Sequence, residues 1–146
     1  MCALRPIAGG APVYLDLLER GWHFGIPESI QSTAPVNRLR EHLGDIVAQV
    51  NDAFSAKKEK ESGGFHDHVI IRERSGPSLE EVLARSREQL HAAVRRFQDH
   101  AELLQATDEY RLLSDTGQPG VEYFITGMGN WQRSNYDWHK ESGRYE

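Results

Sequence analysis

Apolar residues recur at steps of three and four along most of this chain, and that helical period constrains its fold more than any other feature. Four segments carry such a stripe, and none shows the strict alternation of a half-buried strand. A single stripe is too narrow to be self-sufficient, so the helices must bury their stripes against one another. The sequence therefore predicts an all-α four-helix bundle. We expect one domain over residues 1–146, with a flexible stretch at 1–11.

Turn residues delimit the first two helices. Pro12 suits the first position of a short helix, and Gly21 is a natural stop for it. The second helix opens at Thr33, its apolar stripe extends to Phe54, and the glycine pair at 63–64 ends it. The first helix is short for a bundle member, whereas the second is long.

The third helix has the clearest start signal, and the fourth follows a polar turn. Ser78 and Glu81 have the spacing of a capping box, and an apolar stripe then extends to Leu104. Residues 114–120 are rich in polar residues, glycine and proline, which is typical of a turn. The fourth helix is predicted over residues 121–139.

The connection at residues 62–77 is longer than a simple hairpin turn. It contains an apolar patch, Val69-Ile70-Ile71, that has the composition of a strand but would lack a pairing partner in a helical chain. It also contains His66-Asp67-His68, in which alternate residues can chelate a metal, although a solvated loop is the favoured interpretation. The length of this connection leaves the second and third helices free to be adjacent or diagonal.

Composition excludes several functional classes. The chain has 146 residues and a net charge of −5, which disfavours nucleic-acid binding because phosphate would be repelled. No stretch approaches the roughly 18 apolar residues of a membrane helix, and no secretory signal is visible at the start. Cys2 is the only cysteine, so an intramolecular disulfide is impossible. These features predict a cytoplasmic protein.

The fourth stripe changes from apolar to polar. Its first part is Val121, Phe124, Ile125 and Met128, and the same face then continues with Gln132, Asn135 and His139. Trp131, Tyr136 and Trp138 keep this end aromatic. A polar end to a buried stripe is either a hydrogen-bonded core network or the floor of a binding site. The sequence leaves both interpretations open.

Three stretches of the chain resemble a known family. Residues 33–43, which contain His42, are similar to the second helix of DinB-like four-helix bundles. Residues 77–85 are similar to the start of their third helix. Asn135-Tyr136-Asp137-Trp138-His139 resembles their closing motif, in which two histidines lie four residues apart. Within that superfamily the nearest resemblance is to the DfsB/ClbS-like branch, which is associated with stress response and self-resistance.

The resemblance implies a metal site inside the bundle. Carried over by position, His42 and His139 match two of the three histidines of the family, and Asn135 stands at the third. Asparagine offers a neutral carbonyl oxygen, which is a weak ligand for Zn or Ni beside imidazole nitrogen. Such a site either keeps open positions for water or has lost its metal and retained the pocket.

Three functions are consistent with that site. The first is a hydrolase or thiol-dependent transferase that disarms a small electrophilic molecule, with His42, Asn135 and His139 as catalytic residues and with or without a metal. The alternatives are a protein that sequesters a small molecule without turnover and a homodimeric interaction module. The residues expected to line the pocket are Trp131, Gln132, Tyr136 and Trp138.

Overall fold

The computed structural model describes residues 13–17, 26–62 and 68–145. Within these ranges the regular structure is entirely helical. Residues 13–17 form a short helical stretch. Six further helices follow: α1 (Glu28–Gln31), α2 (Ala34–Ser62), α3 (His68–Glu73), α4 (Leu79–Gln105), α5 (Asp108–Arg111) and α6 (Gly117–Glu141).

The all-α prediction is confirmed, but the DinB-like four-helix bundle is wrong. In the described part of the chain only α2, α4 and α6 are long, and four short helical segments accompany them. The predicted first helix is described only at residues 13–17, and its stop at Gly21 lies outside the described residues. The short segments arise because the connections form helical turns of their own, which a stripe-based count of four helices overlooks.

α2 is the central element, because α4 and α6 pack on two of its sides. His42 of α2 lies against His100 of α4, so those two helices are adjacent and run in opposite directions, since Ala56 and Val82 share a core cluster farther along. Arg40 lies over Phe124 near the start of α6, and Phe54, farther along α2, contacts His139 near the end of α6. α2 and α6 are therefore parallel, and the three long helices run up, down and up.

Local signals placed two of the long helices well. Ser78 caps α4, its hydroxyl accepts from the backbone N–H of Glu81, and the Glu81 carboxylate accepts in return from the Ser78 N–H. α2 begins at Ala34, directly after Thr33. These bounds match the capping and turn residues that predicted them.

Two connections differ from the prediction. The patch at residues 69–71 lies in helix α3 and not in a loop, because Val69 and Ile70 are buried against Ala56 of α2 and Val82 of α4. The predicted turn at residues 114–120 already contains the first turn of α6, which begins at Gly117. Tertiary packing decided both cases.

The main core lies along α2, where it meets α4 and α6. Its central side chains are fully or almost fully buried, and they include Leu39, Leu43, Phe97, Val121 and Met128. This core accounts for the apolar stripes of the second, third and fourth predicted helices. Among the described residues, no helix combines the length and apolar character needed to cross a bilayer.

Candidate functional site

His42 lies at the contact between α2 and α4. Its ring meets the ring of His100 edge to face, with centroids 4.8 Å apart, and its Nε2 is buried without a hydrogen-bond partner among the described residues. Burial lowers the pKa of His42 below its ordinary value, and the nearby positive charge of Arg96 acts in the same direction. His42 is therefore part of a helix contact.

His139 lies near the opposite end of α2. Its ring stacks on Phe54 of α2 at a centroid distance of 5.6 Å, and its Nδ1 lies 2.6 Å from the hydroxyl of Tyr145. Given a rise of about 1.5 Å per residue, His42 and Phe54 are about 18 Å apart along the α2 axis. The structure thus does not bring His42 and His139 together.

The other predicted site residues are dispersed as well. Gln132 and Tyr136 line an open groove of about 780 Å³ between α4 and α6, and α2 forms its floor. Trp131 stacks on Tyr14 at a centroid distance of 4.0 Å, on a different face of α6. Asn135 is half-buried, and its Oδ1 has no hydrogen-bond partner among the described residues.

These positions bear on the predicted histidine metal site. Within the described ranges no three His, Cys, Asp or Glu side chains lie close enough to hold a metal ion together. His66 and Asp67 of the loop triplet lie outside the described residues, and His68 begins α3. The distance between His42 and His139 separates two members of the predicted ligand set. The catalytic roles of His42, Asn135 and His139 stay predictions, as do the pocket roles of Trp131, Gln132, Tyr136 and Trp138.

A different set of ligand atoms lies along α2. Asn51, Ser55 and Glu59 follow one another at four-residue steps, so they occupy one face of the helix, with successive Cα atoms about 6 Å apart. Each offers an oxygen: an amide carbonyl, a hydroxyl and a carboxylate. Asn51 and Glu59 are half-buried and Ser55 is buried. We call these three residues the oxygen face of α2.

The end of the chain folds back beside the oxygen face. α6 ends at Glu141, and Gly143 has a positive φ of 61°, a conformation that glycine adopts without strain and that reverses the backbone. The Lys58 Nζ of α2 then donates to the carbonyl oxygen of Arg144 at 3.0 Å. Residues 142–145, which we call the C-terminal segment, are thereby held against α2.

Two charged side chains belong to this part of the molecule, the carboxylate of Glu59 and the guanidinium of Arg144. Burial raises the pKa of Tyr145, and the carboxylate of Glu59 acts in the same direction. Arg144 is exposed, its guanidinium lies 5.6 Å from the ring centroid of Trp138, and it forms no ion pair with another described residue. Its charge is therefore available to an anion.

The oxygen face fits a hard divalent cation. Mg²⁺ prefers oxygen ligands, and it is commonly held by one or two carboxylates together with the phosphate oxygens of a substrate. Zn and Ni favour imidazole and thiolate, which are absent from this set. Asn51, Ser55 and Glu59 would hold the cation, and Arg144 would face the anion that accompanies it.

Sequence reasoning missed the oxygen face. The spacing of Asn51, Ser55 and Glu59 is visible in the sequence as oxygen side chains at positions i, i+4 and i+8 of a predicted helix. The predicted ligand set was built on histidines and did not include these oxygen side chains. The contact of Arg144 with Lys58 of α2 has no sequence signal, because 86 positions separate the two residues and only the fold joins them.

Comparison with known proteins gives one consistent answer. Residues 1–96 match the family model "Terpene synthase family 2, C-terminal metal binding". The chain is 31% identical to pristinol synthase of Streptomyces pristinaespiralis, over 94% of this chain and 37% of that protein. It is 32% identical to (−)-beta-caryophyllene synthase of Saccharothrix espanaensis, described as (2E,6E)-farnesyl diphosphate cyclizing, over 94% of this chain and 39% of that protein.

Solved structures agree. A cucumene synthase carrying one substitution superposes with a TM-score of 0.85 at 27% identity, over 97% of this chain and 46% of that one. The chain thus spans less than half the length of the relatives that it matches. The matched segment of the family model includes the oxygen face of α2.

These matches correct the sequence-based assignment. The resemblance to the DinB-like superfamily and its DfsB/ClbS-like branch is wrong, and so is the self-resistance or stress function inferred from it, as a hydrolase, thiol transferase or sequestering protein. The resemblance rested on a few residues around His42 and His139, and such short matches do not specify a fold. A metal-binding family remains, although the Zn or Ni inferred from histidines is not supported. The chain belongs to the terpene synthase family 2, C-terminal metal-binding family.

Proposed function

We propose that this chain supplies the metal- and diphosphate-binding part of a site that cyclises an acyclic isoprenoid diphosphate such as farnesyl diphosphate. The relative from Saccharothrix is described as cyclizing that substrate. The observation that carries the proposal is the oxygen face of α2 with Arg144 folded back beside it. The ligands fit Mg²⁺, and the guanidinium fits a diphosphate.

Each residue has a defined task in this site. Asn51, Ser55 and Glu59 would hold Mg²⁺, which offsets the charge of the diphosphate and so favours its departure with the electron pair of the C–O bond. The Arg144 guanidinium would bind diphosphate oxygens in a fork geometry that lysine cannot reproduce. Trp138 presents an aromatic face beside it, which can stabilise positive charge developing on the isoprenoid carbon chain.

The decisive experiment measures binding of inorganic pyrophosphate to the chain by calorimetry, with and without MgCl₂. Glu59→Gln removes the carboxylate of the oxygen face, and Glu61→Gln removes an exposed carboxylate two residues away, on a different side of α2. We expect Glu59→Gln to weaken magnesium-dependent binding at least tenfold, about 1.4 kcal/mol, and Glu61→Gln to leave it unchanged.

Two results would contradict the proposal. One is pyrophosphate binding that does not depend on magnesium. The other is an equal effect of both substitutions, because that would reduce the role of Glu59 to general surface charge. Incubation with farnesyl diphosphate and MgCl₂, followed by gas chromatography of the extracted products, then tests turnover.

A further inference from the structure

His139 is a buried polar side chain near the site. It is 5% exposed, and its ring contacts the rings of Phe54 of α2 and Tyr145 of the C-terminal segment. The centroid distances are 5.6 Å and 5.4 Å, with interplanar angles of 16° and 29°. The rings of Phe54 and Tyr145 are themselves 6.2 Å apart, so the three rings form an aromatic cluster that joins α2, α6 and the C-terminal segment.

One hydrogen bond within this cluster has a defined donor and a defined acceptor. The Tyr145 hydroxyl lies 2.6 Å from Nδ1 of His139, and a protonated phenol can only donate to an unprotonated ring nitrogen. Burial, and then the charge of Arg144, lower the pKa of His139, while burial raises the pKa of Tyr145. Both effects favour a neutral imidazole that accepts and a neutral phenol that donates.

Arg144 depends on these contacts for its place. Its backbone carbonyl accepts from Lys58, and its neighbour Tyr145 is tied to His139. Between α6 and these anchors the backbone reverses at Gly143, a residue with more conformational freedom than any other. Without the Tyr145 bond, the C-terminal segment would keep one polar anchor from α2 and lose the one from α6.

We propose that His139 is a positioning residue: by accepting the Tyr145 hydroxyl, it holds the C-terminal segment so that Arg144 meets a diphosphate bound at the oxygen face. This role differs from the ligand role predicted from the sequence, because Nδ1 is engaged by Tyr145. The diphosphate part of the inference rests on the proposed function, whereas the contact between His139 and Tyr145 does not.

The test separates the ring of His139 from its acceptor nitrogen. His139→Phe keeps an aromatic ring in the cluster but removes the acceptor nitrogen. His139→Asn removes the ring but places an oxygen acceptor near the position of Nδ1. Tyr145→Phe removes only the donor. Tyr123→Phe, at a half-exposed tyrosine elsewhere on α6, is the matched control for loss of a hydroxyl.

Two measurements are made on each variant of the full chain. The first is amide hydrogen exchange over residues 143–145, which reports how firmly the C-terminal segment is held. The second is the affinity for inorganic pyrophosphate in the presence of MgCl₂. We expect His139→Phe and Tyr145→Phe each to accelerate exchange and to weaken binding about five- to tenfold, the size of one lost hydrogen bond. The double variant should be no worse than either single one.

The acceptor variant separates positioning from packing. His139→Asn should bind pyrophosphate more tightly than His139→Phe, although it loses the ring contacts with Phe54 and Tyr145. Unchanged exchange in His139→Phe, or additive effects in the double variant, would overturn the proposal. If exchange rises as expected but the unsubstituted chain binds no magnesium pyrophosphate, the proposed function and the diphosphate role fail together, and the contact alone stands.

Discussion

His42 and His100 meet edge to face across the contact of α2 and α4, with ring centroids 4.8 Å apart. The charged groups that influence His42 come from both helices: Arg96 and His100 act to lower its pKa, and Asp45 and Glu41 act to raise it, while burial has the largest effect and lowers it. A proton on His42 is therefore less favourable in the folded chain than in the unfolded one. This contact makes stability sensitive to pH.

The pH dependence has a definite sign. Because the folded-state pKa of His42 lies below its ordinary value of about 6.5, the stability contribution is complete above that pH and is lost as the pH falls towards the folded-state value. Urea unfolding of the chain should therefore show lower stability at pH 5.5 than at pH 7.5. His42→Leu should reduce this difference, and a difference unchanged by the substitution would show that other groups, such as His139, account for it.

Metal removal gives a second expectation. Magnesium and pyrophosphate together should raise the melting temperature of the chain, because a ligand that binds only the folded state stabilises it by mass action. Either component alone should raise it less, and EDTA should reverse the effect. Thermal unfolding followed by circular dichroism measures this. Two results would contradict the assignment of the oxygen face to Mg²⁺. One is an equal rise in melting temperature when ZnCl₂ replaces the magnesium salt, and the other is an equal rise in the Asn51→Ala variant.

The core along α2 should carry much of the stability. Leu39 is fully buried between the helices, so Leu39→Ala should lower the free energy of unfolding by about 2–5 kcal/mol. Leu112 is 85% exposed between α5 and α6, and Leu112→Ala should change it by less than about 0.5 kcal/mol. Chemical denaturation of both variants tests this, and similar losses would place the core elsewhere.

The cap of α4 should make a smaller but measurable contribution to the free energy of unfolding. Ser78→Ala removes the hydroxyl that accepts from the Glu81 backbone N–H, and it should cost about 1 kcal/mol. Ser134→Ala, at an exposed position inside α6, should change the stability by less than about 0.5 kcal/mol. Equal effects in denaturant titrations would mean that the capping box adds nothing beyond helix propensity.

The sequence predicted the local structure far better than the site. Ser78 and Glu81 predicted the start of α4, and Thr33 predicted the start of α2, because caps depend on residues within one helical turn. The apolar patch at residues 69–71 was harder. Its residue types favour a strand, but burial against α2 and α4 stabilises a helix there.

The residues of the site show the same division. The spacing of Asn51, Ser55 and Glu59 on one helix face is local and could have been recognised from the sequence. The predicted trio of His42, Asn135 and His139 could not be tested without the fold. Similar helix motifs occur in unrelated bundles, and a match of a few residues around a histidine contains no information about which helices meet.

The amino-acid sequence by itself determined that this protein is helical, where α2 and α4 begin and which face of each long helix is apolar. Those properties follow from interactions within a few residues of the chain. Only the tertiary structure decided that Arg144 lies beside the oxygen face of α2 and that the Tyr145 hydroxyl bonds to His139. It also decided that His42 lies far from His139. Such pairings depend on the helix directions and on the reversal at Gly143, which bring residues distant in sequence into contact.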